Sequence, residues 1–373
     1  MSSRTQEYGA RIGLLAFSTA LVVVLAEVGL RVFLALAEPR ATDPEAALEL
    51  SASANLEGTG SQISLRGLVR ASDVPDMVFE LKPNLRGTYL GQPLRTSSQM
   101  LRDREYSRAK LPGTRRIVGL GDSVMFGWGV AQDEPFLEVL EQRLAQEGDP
   151  AVRYEVLNFA VPGYNTAMEV AAFEHRALTY DPDLVIVSFV RNDFKLPHFL
   201  QRPREWWSLD RWYLKDLVRY RLRLLESHRE QRLLPHDLHA VAPDDRQQAR
   251  EQYRHMEGAE GFHRAAGRLA ELTQERSIPV VFMAPVSTEE PWATARQVAE
   301  THGFHLLDAG RYQLLYLIEH GIENTRQAWS EAFWISERDH HPSALSHRLF
   351  ADALFDQLQT MGWLSSAGQA APD

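Results

Sequence analysis

The run Ile117-Val118-Gly119-Leu120 constrains this chain more than any other, because it passes directly into Gly121-Asp122-Ser123. An apolar run with two β-branched residues reads as a strand buried on both faces. A serine at the carboxyl end of such a strand stands where open α/β sheets hold their ligands. Gly121 lets the backbone turn sharply, and Asp122 can hold local amides through its side chain, a structural rather than chemical part. Ser123 then sits at the mouth of the sheet with its own N–H free to point at an oxyanion. Gly, Asp and Ser are also ordinary turn residues, so this stretch decides nothing alone.

Three later stretches add to it. Val156–Phe159 is a second apolar strand, followed by Val161-Pro162-Gly163-Tyr164-Asn165. Leu184–Val190 is a third, running into Arg191-Asn192-Asp193, and Asp339-His340-His341-Pro342 precedes a helical pattern near the C-terminus. Together these resemble the SGNH (GDSL-type) hydrolases, whose four sequence blocks supply Ser, Gly, Asn and His in that order, here Ser123, Gly163, Asn192 and His341. The resemblance extends over roughly residues 79–362. It takes in Leu81-Lys82-Pro83-Asn84-Leu85 and Gly127-Trp128-Gly129-Val130, which are similar to segments of membrane-anchored bacterial members.

The pattern between these blocks suits the implied fold. Strands at Ile117–Leu120, Tyr154–Phe159, Leu184–Val190, Val280–Ala284 and Phe304–Leu307 alternate with helices near 135–146, 166–178, 261–274, 292–302 and 344–361. Such alternation argues for an α/β protein of three layers, a central parallel sheet covered by helices on both faces.

The chemistry implied is ester cleavage, which needs a nucleophile, a base, a group orienting the base and donors for the oxyanion. Ser123 Oγ would attack the acyl carbon and His341 would take its proton. The N–H groups of Ser123 and Gly163 and the side-chain amide of Asn192 would hold the oxyanion. Gly163 suits this because a residue without Cβ lets a ligand approach the backbone. The commonest family pattern puts the acid three residues before the histidine, where this chain has Arg338. Asp339, two before, is the expected orienting acid. If the chain is extended at His340, residues 339 and 341 share a side. His340 is the rival base, with Glu337 as its acid. Bland alternatives exist for several of these residues: Asn192 and Asp193 could cap a turn, and Asp339 could be the N-cap of the last helix.

The N-terminus reads differently. Ile12–Ala26 carries no charge, and its 15 residues would span about 22 Å as helix, short of a hydrocarbon core of about 30 Å. The apolar pattern continues to Ala37, broken only by Glu27 and Arg31, which are four apart and can pair on one helix face. An uncleaved signal-anchor helix over residues 1–40 is favoured over a signal peptide cut after Ala35-Leu36-Ala37. Arg4 and Arg11 precede the helix, which puts the N-terminus in the cytoplasm and the catalytic domain in the periplasm. Residues 41–78 read as a tether, 79–365 as the hydrolase domain and 366–373 as a disordered tail. Within the domain, 194–255 is an insertion rich in arginine and aromatic residues, either solvated helices or a lid over the site.

A formal net charge of −10 argues against a nucleic-acid partner. The chain has no cysteine, which excludes disulfides and thiol chemistry. No zinc spacing or phosphate loop is present, so no cofactor or metal is expected. The expectation is a membrane-tethered serine esterase acting on an O-acyl, above all O-acetyl, ester of a cell-envelope carbohydrate. Transfer of the acyl group to a glycan, a lysophospholipase or thioesterase acting on a lipid ester, and a non-catalytic glycan-binding scaffold are the alternatives.

Overall fold

The expected alternation of strands and helices forms a five-stranded parallel sheet. The computed structural model describes residues 2–37, 63, 65–196, 214, 251–285, 289–323, 327, 329–336 and 339–364. The chain divides into two units, Met1–Pro44 with Arg202–Pro243, and Glu45–Gln201 with Asp244–Asp373.

In the first unit, α1 runs from Ser2 to Ala37. Its segment Gly13–Val32, 20 residues of mean hydropathy 2.1, is long and apolar enough to cross a membrane. Glu27 and Arg31 pair as their spacing predicts, Arg31 Nε lying 2.8 Å from Glu27 Oε1. The Leu214 N–H donates to the other Glu27 oxygen at 2.6 Å.

In the second unit, a short helix α2 (Leu65–Leu68) leads into β1 (Val69–Ala71), which pairs antiparallel with β2 (Phe79–Leu81). A hairpin of β3 (Arg86–Tyr89) and β4 (Gln92–Arg95) follows. Leu65, Leu68, Val69 and Met77 are buried in the same core as the sheet. The tether expected over residues 41–78 is therefore corrected at its C-terminal end, since the chain joins the folded unit by Leu65. These elements are three or four residues long and carry no period of their own.

The central strands are β5 (Thr114–Leu120), β6 (Arg153–Asn158), β7 (Leu184–Ser188), β8 (Val280–Ala284) and β9 (His305–Asp308), in the order β6-β5-β7-β8-β9. The chain steps from β5 to one side, then crosses to the other, so the switch point where such sheets hold their ligands falls at the carboxyl end of β5. Alternate residues serve the two faces. Ile117, Ile186 and Met283 meet Phe136 and Leu140 of α4 (Phe136–Glu147), with Phe350 and Leu354 of the last helix. Val118, Val187 and Phe282 meet Phe173 of α5 (Thr166–His175), Phe262 of α6 (Gly258–Gln274) and Val298 of α7 (Glu289–His302). The packing on β5 is close: a Cβ at Gly119 would lie 2.2 Å from Leu137 Cδ1. Helix α8 (Gly310–Glu319) and the hairpin of β10 (Trp334–Ser336) and β11 (Asp339–Pro342) were not foreseen. Helix α9 (Ala344–Thr360) closes the unit, N-capped by Ser343 and not by Asp339. The expected insertion, apart from Phe194–Leu196, Leu214 and residues 251–255, lies outside the described residues, as does the tail after 364.

His347 of α9 ties the two helices of one face together. Its Nδ1 accepts the Phe136 N–H at 3.2 Å at the start of α4, so Nε2 carries the ring proton. Burial, with the nearby charges of Arg102 and His341, pulls its pKa from 6.5 down to about 3. Between those two values the unfolded chain binds a proton that the folded chain does not. The contribution of His347 to stability is therefore present above pH 6.5 and lost as pH falls toward 3. The stability difference between the wild type and His347→Asn, from urea unfolding, is expected to shrink by about 2 kcal/mol between pH 7 and pH 5. A difference that stays constant over this range would contradict the assignment.

Candidate active site

The carboxyl ends of the neighbouring strands β5, β6 and β7 carry three of the expected residues. Ser123 opens a single helical turn, α3 (Ser123–Phe126), straight after β5. Asp122 caps that turn, its Oδ1 accepting the Val124 N–H at 2.9 Å, which is the structural part expected of it. Its Oδ2 also lies 3.2 Å from Ser123 Oγ. Gly163 follows β6 in a turn closed by Tyr164 N–H donating to Val161 O at 3.1 Å, and its φ of 88° is one that favours glycine. Asn192 sits in a short 3₁₀ turn after β7, its amide donating to Tyr164 O at 3.1 Å, so the Gly163 and Asn192 loops are joined. Neither the Ser123 N–H nor the Gly163 N–H donates to a carbonyl among the described residues.

Beneath these loops lie three buried carboxyl groups, Asp122, Glu169 and Asp193. Asp193 Oδ2 accepts the Val190 N–H at 2.6 Å and so fixes the base of the Asn192 turn. Burial, reinforced by the neighbouring acids, pushes Glu169 and Asp193 well above the ordinary carboxylate range. Burial also raises Asp122, against the hydrogen bond from Val124.

The fourth element comes from the far end of the chain. Asp339 and His341 lie on β11, which pairs with β10. An extended backbone puts residues 339 and 341 on the same side and His340 on the other. His341 Nδ1 is 2.5 Å from Asp339 Oδ1, and His341 Nε2 is 2.9 Å from Ser123 Oγ. His340 instead stacks on Trp334, with ring centroids 3.9 Å apart. Burial tends to raise the Asp339 carboxyl, but the hydrogen bonds and charge of His341, together with the Trp128 indole, outweigh it and hold the acid below its ordinary range. The arrangement is a hydroxyl, an imidazole and an ionised carboxylate in sequence, beside two backbone N–H groups with no carbonyl acceptor among the described residues. Such a set can deprotonate an alcohol and hold the anion that forms when it attacks a carbonyl. The rival acid Glu337 and Arg338 lie outside the described residues.

Two residues of this region were not singled out from the sequence. Trp128 donates its indole N–H to Asp339 Oδ2 at 3.0 Å and stacks on His341 at 4.7 Å. Arg102, 2% exposed, donates to the carbonyls of Phe126, Gly127, Val130 and Ala131, the loop that carries Trp128. In the sequence Trp128 is marked only as part of the segment Gly127-Trp128-Gly129-Val130, and nothing there gives it a part in the site. No group of three or more His, Cys, Asp and Glu side chains among the described residues could hold a metal ion.

The model of the GDSL-like lipase/acylhydrolase family matches residues 120–349. No curated protein sequence matches the chain. Among solved structures, a lipase/acylhydrolase from Enterococcus faecalis is 16% identical, with 69% of this chain and 100% of that one covered at a TM-score of 0.41. The psychrotrophic esterase EstA from Pseudoalteromonas sp. is 12% identical, with 66% and 98% covered at 0.36. A variant of an acetyl-xylooligosaccharide esterase from Geobacillus stearmophilus is 13% identical, with 65% and 94% covered at 0.37.

Proposed function

The chain belongs to the GDSL-like lipase/acylhydrolase family and is an ester-hydrolysing enzyme, and on that premise we propose that it works through Ser123, His341 and Asp339 as nucleophile, base and orienting acid. The observation that carries this reading is the unbroken chain of hydrogen-bond distances from Ser123 Oγ through His341 to Asp339. In the first step His341 Nε2 takes the hydroxyl proton while Oγ attacks the acyl carbon. The N–H groups of Ser123 and Gly163 and the Asn192 amide receive the oxyanion. The imidazolium then returns its proton to the leaving alkoxide, an acyl-serine forms, and water repeats the sequence to release the acid. Asp339 stays ionised throughout, holding Nδ1–H and balancing the imidazolium charge.

The substrate in this proposal is an O-acyl ester, above all an O-acetyl group, on a cell-envelope carbohydrate. Support for the location comes from α1, whose span Gly13–Val32 has the length and hydropathy of a membrane anchor. Arg4 and Arg11 before that span favour a catalytic domain on the periplasmic side. With residues 1–40 as anchor, the segment between them and Leu65 acts as the tether. Full-length enzyme in detergent is expected to release acetate from acetylated envelope polysaccharide at a rate independent of any added sugar acceptor. Acetate release that requires the acceptor, with acetylated acceptor recovered, would instead make the enzyme a transferase using the same three residues.

A further inference from the structure

We propose that Trp128 is a positioning residue of the triad, setting acid and base together from a rigid mount. The proposal rests on the Ser123–His341–Asp339 reading and concerns how an acid at this spacing is held.

An acid two residues before its histidine on one strand has a particular difficulty. Asp339 Oδ1 serves His341 twice, at 2.5 Å to Nδ1 and 3.1 Å to the backbone N–H. Both contacts fall on one oxygen, and the terminal torsion of an aspartate is soft, so the carboxylate could rotate about that oxygen. Its side chain is 31% exposed, enough for water to draw the second oxygen away. The Trp128 indole N–H occupies that second oxygen at 3.0 Å. With both oxygens bonded, the plane of the carboxylate is defined.

The same side chain also backs the base. The Trp128 and His341 rings are 17° from parallel with centroids 4.7 Å apart. When His341 takes the serine proton it becomes a cation over an indole face, the most favourable ring for such a contact. One tryptophan thus acts on the acid through its edge and on the base through its face.

The mount is built for this. Trp128 is 9% exposed and lies between Gly127 and Gly129, with φ of 86° and 74°. Tyr89 meets its ring edge-on at 5.4 Å. The guanidinium of Arg102 takes carbonyls on both sides of Trp128, including Phe126 O at 2.9 Å and Val130 O at 2.7 Å. Among the described residues Arg102 forms no ion pair with a carboxylate. A buried cation whose donors go to the carbonyls of one loop fixes that loop as a unit. A Cβ at Gly127 would lie 2.5 Å from Pro135 Cγ and 3.0 Å from an Arg102 nitrogen, so the loop and its clamp are in close contact.

The experiment is a double-mutant cycle between Trp128 and Asp339, assayed on an aryl acetate well below each variant's melting temperature. Trp128→Phe keeps a ring and removes the donor. It is expected to lower kcat about 10- to 100-fold, the worth of a hydrogen bond to a charged group, with KM within about three-fold of wild type. Trp128→Leu loses the ring face as well and falls further, whereas Trp128→Gln, which restores a donor, recovers part of the loss. In an Asp339→Asn background Trp128→Phe is expected to cost less than about three-fold, because residues acting through one another are not additive. Equal losses in both backgrounds, or a Trp128→Phe enzyme with wild-type kcat, would overturn the proposal and leave the triad standing. Hydrolysis that persists in Ser123→Ala would instead remove the triad reading itself.

Discussion

His341→Ala is expected to lower kcat about 10⁴-fold or more, while His340→Ala stays within about three-fold of wild type. The two histidines are adjacent, and only the geometry of β11 separates their roles. On an extended strand neighbouring side chains point to opposite sides. His341 shares a side with Asp339 and reaches Ser123 Oγ at 2.9 Å, whereas His340 turns to Trp334. Loss of His341 leaves the serine hydroxyl with Asp122 Oδ2, 3.2 Å away, as its remaining acceptor. That carboxylate is already engaged as the cap of α3 through the Val124 N–H. Loss of His340 removes a ring stack on the far side of the hairpin, which bears on local packing. The reverse pattern, with His340→Ala inactive and His341→Ala active, would move the base by one residue and take Asp339 out of its role.

Asp339→Asn is expected to lower kcat by about 10⁴-fold while leaving the melting temperature close to that of wild type. The amide has almost the shape of the carboxylate and can still fill the space between His341 and Trp128. It cannot balance the imidazolium charge. If its NH₂ group turns to Nδ1, it also selects the wrong tautomer of the base. Combining Asp339→Asn with His341→Ala should add little to the loss from His341→Ala alone, since the two act as one unit. Independent, multiplying losses would show that Asp339 serves the fold and not the base.

The sheet was legible because four of its strands, β5 to β8, are buried on both faces and so appear as short apolar runs, each preceded or followed by a helix-length amphipathic pattern. Ser123, Gly163 and Asn192 were legible for a related reason: each follows one of those runs, and strand ends are where such folds gather their chemistry. Asp339 required a further step, the inference that the chain is extended at His340. The pairing of β11 with β10 provides that extension, although Asp-His-His-Pro carries no strand propensity of its own. Trp128 could not have been placed, because its partner Asp339 is 211 residues away and nothing local marks the contact. Arg102 is similar, since a buried arginine that bonds backbone carbonyls leaves no charged partner for a sequence to display. The first residues of the folded unit were read as tether because α2 and β1 are four and three residues long and depend on tertiary burial for their form.

The central claim is that Ser123 is a nucleophile activated by His341 and Asp339. It is tested most directly by treating the full-length protein in detergent with a fluorophosphonate and mapping the adduct by mass spectrometry. One adduct per chain is expected, on Ser123 Oγ, forming with loss of ester hydrolysis and slowed strongly in His341→Ala and Asp339→Asn. An adduct on another residue, together with undiminished hydrolysis by Ser123→Ala, would contradict the account.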